Sequence, residues 1–297
     1  MADNLPLAFQ TEFDARVQLA YQASAQLLDK CYTKNNIVGK YCQFRRRGKG
    51  SALPHVRNSP LTPLGIDTIV ATVELTDWDA PERLDPFDLA KINWDDMSVV
   101  SEALGRSIGR RSDQIKIDAM QAGVTQTVPV DYGTTGTSSA LNMQKINRAR
   151  QILLKNNVPS EGTRWFAAIS ASSLESLLND KRAINNLYNP LRPLMEGEVK
   201  HYCGFEFIVI GDRDEGGLPI NPTTGYRSCY FWEEKAYGYA DAIIEGGNGM
   251  RTRMDWSPDY GGWLLNARLS AGAKVIETLG LIEVLIDESK SGLIVSE

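Results

Sequence analysis

The chain has 297 residues, which is enough for one large domain or two modest ones. Hydrophobic residues make up 42% and charged residues 23%, which is ordinary globular usage and argues against a disordered chain. The net charge of −5 argues against a protein whose main task is to grip nucleic acid, because such proteins carry a basic balance or a basic face. No apolar run reaches the roughly 20 residues of a membrane helix and no apolar leader opens the sequence, so we expect a protein that stays in the cytoplasm.

The first segment, residues 8–34, has apolar residues at helical spacing, among them Phe9, Phe13, Val17 and Leu28. This pattern predicts an amphipathic helix with one apolar face. Nothing directly after it offers a matching helix. We therefore expect an arm that docks on a distant part of the fold or on another chain.

The stretch from Gly39 to Leu75 has strand-like sequence at both ends and a long aperiodic middle. The middle contains the basic run Arg45-Arg46-Arg47-Gly48-Lys49-Gly50, followed by Pro54, Pro60 and Pro63. This layout predicts a two-stranded ribbon with a broad tip, and strands of about ten residues would carry the tip about 33 Å from the body.

A long helix is the clearest predicted element. It follows an acidic, proline-punctuated stretch at 77–86 that we expect to be a connector. Asp85 is a suitable cap and Pro86 suits the first position of a short lead-in turn. From 95 to 122 apolar residues recur at an average step near 3.6, which predicts a helix about 42 Å long.

One stripe of the long helix is predicted to be buried: Met97, Val100, Leu104, Ile108, Arg111, Ile115, Ala119 and Ala122. Gly105 and Gly109 lie on the same helix, four residues apart. We expect a neighbouring segment to pack closely against that pair.

The second half alternates strand and helix patterns, so the fold class is α+β. The predicted strands are 165–169, 205–210, 250–256 and 281–286. The predicted helices are 143–156, 173–179, a short segment near 233–239, and 263–279 closed by Gly280. A glycine-rich loop is expected at 212–225.

No catalytic signature is present, and we expect no catalytic residue, cofactor or metal. The acidic turn beginning at Asp212 resembles the start of a calcium loop, but its twelfth position is Thr223 instead of glutamate. His201 and Cys203 could share a metal, but two ligands do not make a zinc site. The four cysteines contain no CxxC pair and are expected to be buried or unreactive thiols: Cys31, Cys42, Cys203 and Cys229.

The triple arginine at 45–47 has three possible roles: a solvated basic ribbon, contact with an acidic surface of a neighbouring chain, or contact with nucleic-acid phosphate. An acidic stretch in the same sequence favours the neighbouring chain over nucleic acid. The candidate subunit-interface residues are Arg45, Arg46, Arg47, Lys49, Arg57, Asp77, Asp79, Glu82 and Asp85.

The order of arm, ribbon, long helix and α/β body resembles the tailed-phage major capsid proteins with the Hong Kong 97-type fold. The stretch 85–113, which opens Asp85-Pro86-Phe87-Asp88, resembles the lead-in and spine helix of that family. The stretch 251–284, which opens Arg251-Thr252-Arg253-Met254-Asp255-Trp256, resembles its closing strand, helix and strand. The resemblance runs from about residue 8 to 287.

This resemblance implies an N-terminal arm at 1–38, an extended β-ribbon loop at 39–80, peripheral-domain segments at 81–124 and 250–297, and an axial domain at 125–249. The implied protein self-assembles into pentamers and hexamers of an icosahedral virion shell around double-stranded DNA. It is no enzyme and has no membrane partner.

The implied partners are further copies of the chain, a separate scaffolding protein, a portal, a possible decoration protein, and DNA held by non-specific contacts. Assembly is expected in the host cytoplasm. Two alternatives stay open: an encapsulin-like cellular compartment shell, and an α+β enzyme that would rely on scattered acids and His201.

Overall fold

The computed structural model describes residues 22–55, 57, 58, 60, 63–91, 96–134, 137–179, 201–244, 247, 248 and 250–291. The helices are α1 (Pro86–Leu89), α2 (Asp96–Gly123), α3 (Met143–Lys155) and α4 (Ala171–Asn179). The first strands are β1 (Tyr32–Ile37), β2 (Tyr41–Arg47), β3 (Thr68–Glu74), β4 (Thr76–Leu84) and β5 (Thr127–Val128). They are followed by β6 (Trp165–Ile169), β7 (His201–Tyr202), β8 (Phe205–Val209), β9 (Arg227–Glu233) and β10 (Tyr237–Ile244). The last are β11 (Gly247–Asn248), β12 (Met250–Ser257), β13 (Gly262–Val275) and β14 (Leu281–Ile286).

The first sheet is built around the 14-residue strand β13. Strand β4 pairs with one edge of β13, while β12 and β10 follow one another along the opposite edge. Strand β1 adds to β10 in parallel. The long helix α2 crosses this sheet, with Ile108, Ile117 and Met120 buried in the core.

The predicted helix over 263–279 is wrong, because this segment is strand β13. Its buried residues alternate as Leu265, Ala267, Leu269 and Ala271, which is the period of a strand. The small residues that looked helical serve close packing: a Cβ on Gly272 would lie 2.3 Å from the Glu74 carbonyl oxygen.

Two further assignments are wrong for related reasons. The expected connector 77–86 is mostly β4. Among the described residues β4 is an edge strand that pairs only with β13, and charges and a proline such as Pro81 are tolerated on its unpaired side. The expected helical segment near 233–239 is the turn between β9 and β10, in which the Glu233 side chain accepts a hydrogen bond from Lys235 N at 2.9 Å.

The ribbon predicted between Gly39 and Leu75 is confirmed. Strands β2 and β3 pair antiparallel over seven residues each, and residues 48–67 lie beyond them. The base of the ribbon is anchored by Phe44, which is 1% exposed and packs on Gly238 of β10. A Cβ on Gly238 would lie 2.7 Å from the Phe44 ring, so this glycine allows the ribbon to approach the sheet.

The second sheet has the strand order β5-β14-β9-β6-β8-β7. Strands β6, β8 and β14 match their predicted bounds to within one residue. Helix α3 packs against β14 and β5 through Ile146, Ala149 and Leu153, all fully buried. Because β14 pairs with β9, the chain crosses from the first sheet to the second between β13 and Leu281.

The predicted N-terminal helix at 8–34 is wrong where the structure describes it. Residues 1–21 lie outside the described part of the chain, residues 22–31 are irregular backbone, and Lys34 lies in β1. We call residues 22–31 the strap. It lies on α2, and at Gly109 an added Cβ would be 3.3 Å from the Ala25 Cβ. The expected close packing is therefore confirmed at Gly109 but not at Gly105, where an added Cβ would meet no described atom within 4 Å.

Candidate functional site

The ribbon presents cations on its outward face. Because strand side chains alternate, Phe44 faces the body, whereas Arg45 and Arg47 are exposed on the other face beside Val70. Arg46 shares the face of Phe44 and forms an ion pair with Glu277 of its own chain. The triple arginine therefore divides into two outward cations and one that is already paired.

The ribbon tip combines positive charge with exposed apolar side chains. Lys49 and Arg57 are exposed, as are Leu53, Leu64 and Ile66. Within the described residues, no carboxylate lies within ion-pair distance of Arg45, Arg47, Lys49 or Arg57. Such a surface has cations and apolar area available for a partner.

The predicted acidic residues do not form a single patch. Asp77 and Asp79 lie on one face of β4 and Glu82 on the other, because they differ by an odd number of residues. Asp79 is paired with Arg268 at 3.2 Å. Asp85 lies beyond the strand and caps α1, accepting a hydrogen bond from Phe87 N at 2.8 Å.

A buried charged cluster under the strap was not predicted. Asp113 of α2 is 0% exposed and accepts hydrogen bonds from the backbone N–H groups of Gln26 at 2.8 Å and Leu27 at 3.0 Å. It also accepts one from Arg213 at 2.9 Å. Lys116 Nζ lies 3.9 Å from Asp113 and donates to the Leu27 carbonyl at 3.3 Å.

The cluster ties three parts of the molecule together. Arg213 belongs to the glycine-rich loop after β8, and Arg110 of α2 holds Glu215 of the same loop through two 3.0 Å hydrogen bonds. The strap continues to the second sheet, where Trp232 donates to the Lys30 carbonyl at 2.8 Å. The strap is therefore fixed to α2, the loop and β9 at once.

Burial is the largest influence on the pKa of three groups in and beside this cluster. It lowers the pKa of Lys116, against the opposing influence of Cys31 and Asp113, and raises the pKa of the Cys31 thiol to about 11. For Glu215, burial alone would raise the pKa, but the hydrogen bonds from Arg110 leave it lowered. These side chains are held together by ion pairs and hydrogen bonds, although Arg213 Nε is buried without a hydrogen-bond partner among the described residues.

The cluster lies on a face of α2 that differs from the face predicted to be buried. Of the predicted stripe, Ala122 is exposed and Arg111 only partly buried, with its guanidinium 4.4 Å from the centre of the Trp78 ring. The fully covered face instead includes Asp113, Lys116 and Ile117. The signal available in the sequence was an acid and a base spaced i,i+3 on the same helix.

The possible metal sites are not supported. Among the described residues, no group of three or more histidine, cysteine or acidic side chains is placed to hold a metal ion. His201 is exposed on β7, Cys203 lies in the following turn, and Asp212 is paired with Arg227 at 2.7 Å. The cysteines are free, and all but Cys203 are buried.

None of the helices in the described ranges has the length and apolar character needed to cross a membrane.

Comparisons with known proteins give a consistent result. The sequence profile of a family described as phage capsid protein matches residues 5–288. The capsid of cyanophage P-SCSP1u aligns with a TM-score of 0.76 at 15% identity, covering 97% of this chain and 95% of that chain. The head of Helicobacter pylori bacteriophage KHP40 gives 0.76 at 10% identity, with 96% and 97% covered.

A third fold relative is the capsid of a native gene transfer agent (GTA) particle, with a TM-score of 0.71 at 10% identity and coverage of 95% and 96%. A search of curated protein sequences gave no match. The fold is therefore capsid-like, with mixed helices and sheets.

Proposed function

Because the chain belongs to the phage capsid protein family, it is the major structural protein of a phage capsid, and we propose that it builds a Hong Kong 97-type shell. In this proposal copies form pentamers and hexamers around double-stranded DNA. The encapsulin alternative is not favoured, since the matched family and the neighbouring structures are phage and gene transfer agent capsids.

One observation carries the proposed mode of assembly: the ribbon has outward cations and apolar groups without partners among the described residues of its own chain. We propose that the outward face of β2 and the ribbon tip bind a neighbouring subunit. The partner surface would include either Asp77 on one face of β4 or Glu82 on the other, and Asp85 beyond the end of the strand; all three are exposed. Asp79, held by Arg268, contributes less.

Weak contacts are sufficient when they repeat. An exposed ion pair contributes about 0.2–1 kcal/mol, so no single pair would hold two subunits together. A head-to-tail contact that closes into a ring is made once per subunit and becomes cooperative. Exposed Leu53, Leu64 and Ile66 add apolar area to each contact.

The remaining assignments complete this proposal. Residues 1–38 would form the arm, 39–80 the extended loop, 81–124 with 250–297 the peripheral domain, and 125–249 the axial domain. Helix α2 would be the spine helix. A separate scaffolding protein, a portal and a possible decoration protein would act with the shell, which would assemble in the host cytoplasm.

The proposal is tested by electron microscopy of the protein, expressed alone and together with a candidate scaffolding protein encoded by a neighbouring gene. Wild-type protein should give closed particles or rings of five and six. Monodisperse monomer under both conditions would contradict it.

The charge-pairing step has its own variant, Arg45→Glu with Arg47→Glu. Arg46 is left unchanged, because a glutamate at 46 would repel Glu277 and confuse assembly with folding. The variant should fail to form shells while its circular dichroism and Tm as an unassembled subunit match the wild type. The control Lys235→Glu with Lys290→Glu makes the same change of charge at surface positions and should assemble. Normal particles from the ribbon variant would refute charge pairing.

A further inference from the structure

The outer face of helix α3 is cationic and contains no acid. The helix has the sequence MQKINRARQILLK, with four basic residues and no acidic one, in a chain of net charge −5. Its outer arc consists of Gln144, Asn147, Arg148, Arg150, Gln151, Leu154 and Lys155. We call this arc the α3 face.

The cations of the α3 face are not neutralised within the described residues. No carboxylate lies within ion-pair distance of Arg148, Arg150 or Lys155 there, whereas Arg110 and Arg213 each hold an acid. Arg148 donates to the Gln151 amide oxygen at 2.8 Å and lies 5.5 Å from the centre of the Tyr132 ring. Its guanidinium therefore keeps further donors for a ligand.

A shallow cleft of about 570 Å³ adjoins this face. It is lined by Tyr132, Gly133, Gln144, Asn147, Arg148 and Gln151. Gly133 has a φ of +87°, and a Cβ there would lie 2.2 Å from the Gln144 side-chain oxygen. Glycine thus lets the loop after β5 approach α3 and form one wall of the cleft.

We propose that the α3 face binds the phosphate backbone of packaged double-stranded DNA; this inference rests on the proposed shell function. Guanidinium, ammonium and amide groups are the donors that bind phosphate oxygens. Arg148 and Lys155 are seven residues apart, which is about 10.5 Å along the helix, or about three phosphates along one DNA strand. An acidic protein segment is a poorer fit, because the face offers one exposed apolar residue, Leu154, for packing.

The test measures binding of a labelled duplex of about 30 base pairs to unassembled subunits by fluorescence anisotropy. Three phosphate contacts predict a loss of affinity of about 40-fold between about 50 and 200 mM salt. The variant Arg148→Gln, Arg150→Gln, Lys155→Gln should bind at least about tenfold more weakly at low salt. The slope of the logarithm of its binding constant against the logarithm of the salt concentration should be smaller in magnitude by about 2.7. The control Lys91→Gln, Lys235→Gln, Lys290→Gln, also at surface positions, should bind as the wild type does.

Three outcomes would overturn the inference. They are unchanged DNA binding by the α3 variant, equally tight binding of polyglutamate by the wild type, and loss of rings or shells in the α3 variant, which would assign the face to a neighbouring subunit. Wild-type shells seen by electron microscopy together with unchanged DNA binding would refute this inference alone. Absence of wild-type shells would refute the shell function on which it rests.

Discussion

The strap and the ribbon are both extended segments packed on the body of the subunit, the strap on α2 and the ribbon on the first sheet, but they differ in how their polar groups are satisfied. The strap, residues 22–31, places its backbone donors on a buried carboxylate, Asp113, which is itself held by Arg213. The ribbon exposes Arg45 and Arg47 to solvent. The polar groups of the strap are thus held within one subunit, whereas the ribbon is proposed to find its partner groups on a second.

Breaking the strap should give the largest effect. Asp113→Ala leaves Arg213 and Lys116 buried without their carboxylate and frees two backbone N–H groups, so the subunit should lose about 4–5 kcal/mol of unfolding free energy. Urea denaturation of the unassembled subunit measures this. Glu102→Ala, on the same helix and exposed, is the control and should cost no more than about 0.5 kcal/mol. Equal stability of the two variants would show that the strap is not a fixed part of the subunit.

Loosening the base of the ribbon should be the next largest effect. Phe44→Ala removes a buried ring packed on Gly238 and against the Tyr32 ring, whose centre is 5.7 Å away. We expect a loss of about 3–4 kcal/mol, and limited proteolysis should cut the ribbon faster. Ile69→Ala, half-exposed on the same ribbon, should cost about 0.5 kcal/mol or less. An unchanged digestion rate in the Phe44 variant would argue against anchoring at this residue.

Lys145 provides a second case of a buried charge satisfied within the subunit. Unlike Asp113 under the strap, it is held mainly by carbonyl oxygens. Its Nζ donates to Ser139 at 2.7 Å and Leu285 at 3.1 Å, and burial lowers its pKa from 10.5 to about 8. Between about pH 8 and 10.5 the unfolded chain binds more protons than the folded one at this site, so its contribution to stability rises with pH. Integrated over that window, the gain is about 3 kcal/mol.

The measurement for Lys145 is a difference between wild type and Lys145→Met across this pH range. Titrating groups that do not interact with Lys145 are present in both chains and cancel, whereas the Cys229 thiol is coupled to Lys145 through its charge. The wild type should gain about 3 kcal/mol relative to the variant between pH 8 and 10.5. A constant difference would mean that Lys145 titrates at its ordinary value when folded.

Local patterns predicted the second sheet better than the first. Trp165–Ile169 is a uniform apolar run and Leu281–Ile286 is apolar except for Glu283, so their strand character can be predicted without knowledge of neighbours. For strand β13 the local pattern predicts a helix. Its small residues are required by contacts that are distant in sequence, such as that of Gly272 with Glu74, and a local pattern does not contain this information. Strand β4 was not predicted from the sequence, because an edge strand tolerates Pro81 and several acids that are unusual inside a sheet.

The candidate contact residues were predictable as a set of charges but not as surfaces. In the structure Arg46 pairs with Glu277, and Glu82 lies on the opposite face of β4 from Asp77. Which face each side chain takes depends on the register of the strand in its sheet, and the sequence alone does not give that register. The buried pair of Asp113 and Lys116 was missed because helix periodicity counts apolar residues and treats charge as exposed. The strap and the loop that carries Arg213 cover this pair.

The smallest expected effect separates two roles of Asp85, which caps α1 inside the subunit and is proposed to face a neighbour's ribbon. Asp85→Ala loses both and should cost about 1 kcal/mol of stability. Asp85→Asn keeps the acceptor for Phe87 N but removes the charge, so stability should stay within about 0.3 kcal/mol of wild type. If the charge contacts a ribbon, Asp85→Asn should weaken shell assembly in a titration of protein concentration, and salt should affect its assembly less than that of the wild type. Assembly equal to wild type in Asp85→Asn and reduced only in Asp85→Ala would assign Asp85 to the helix cap alone.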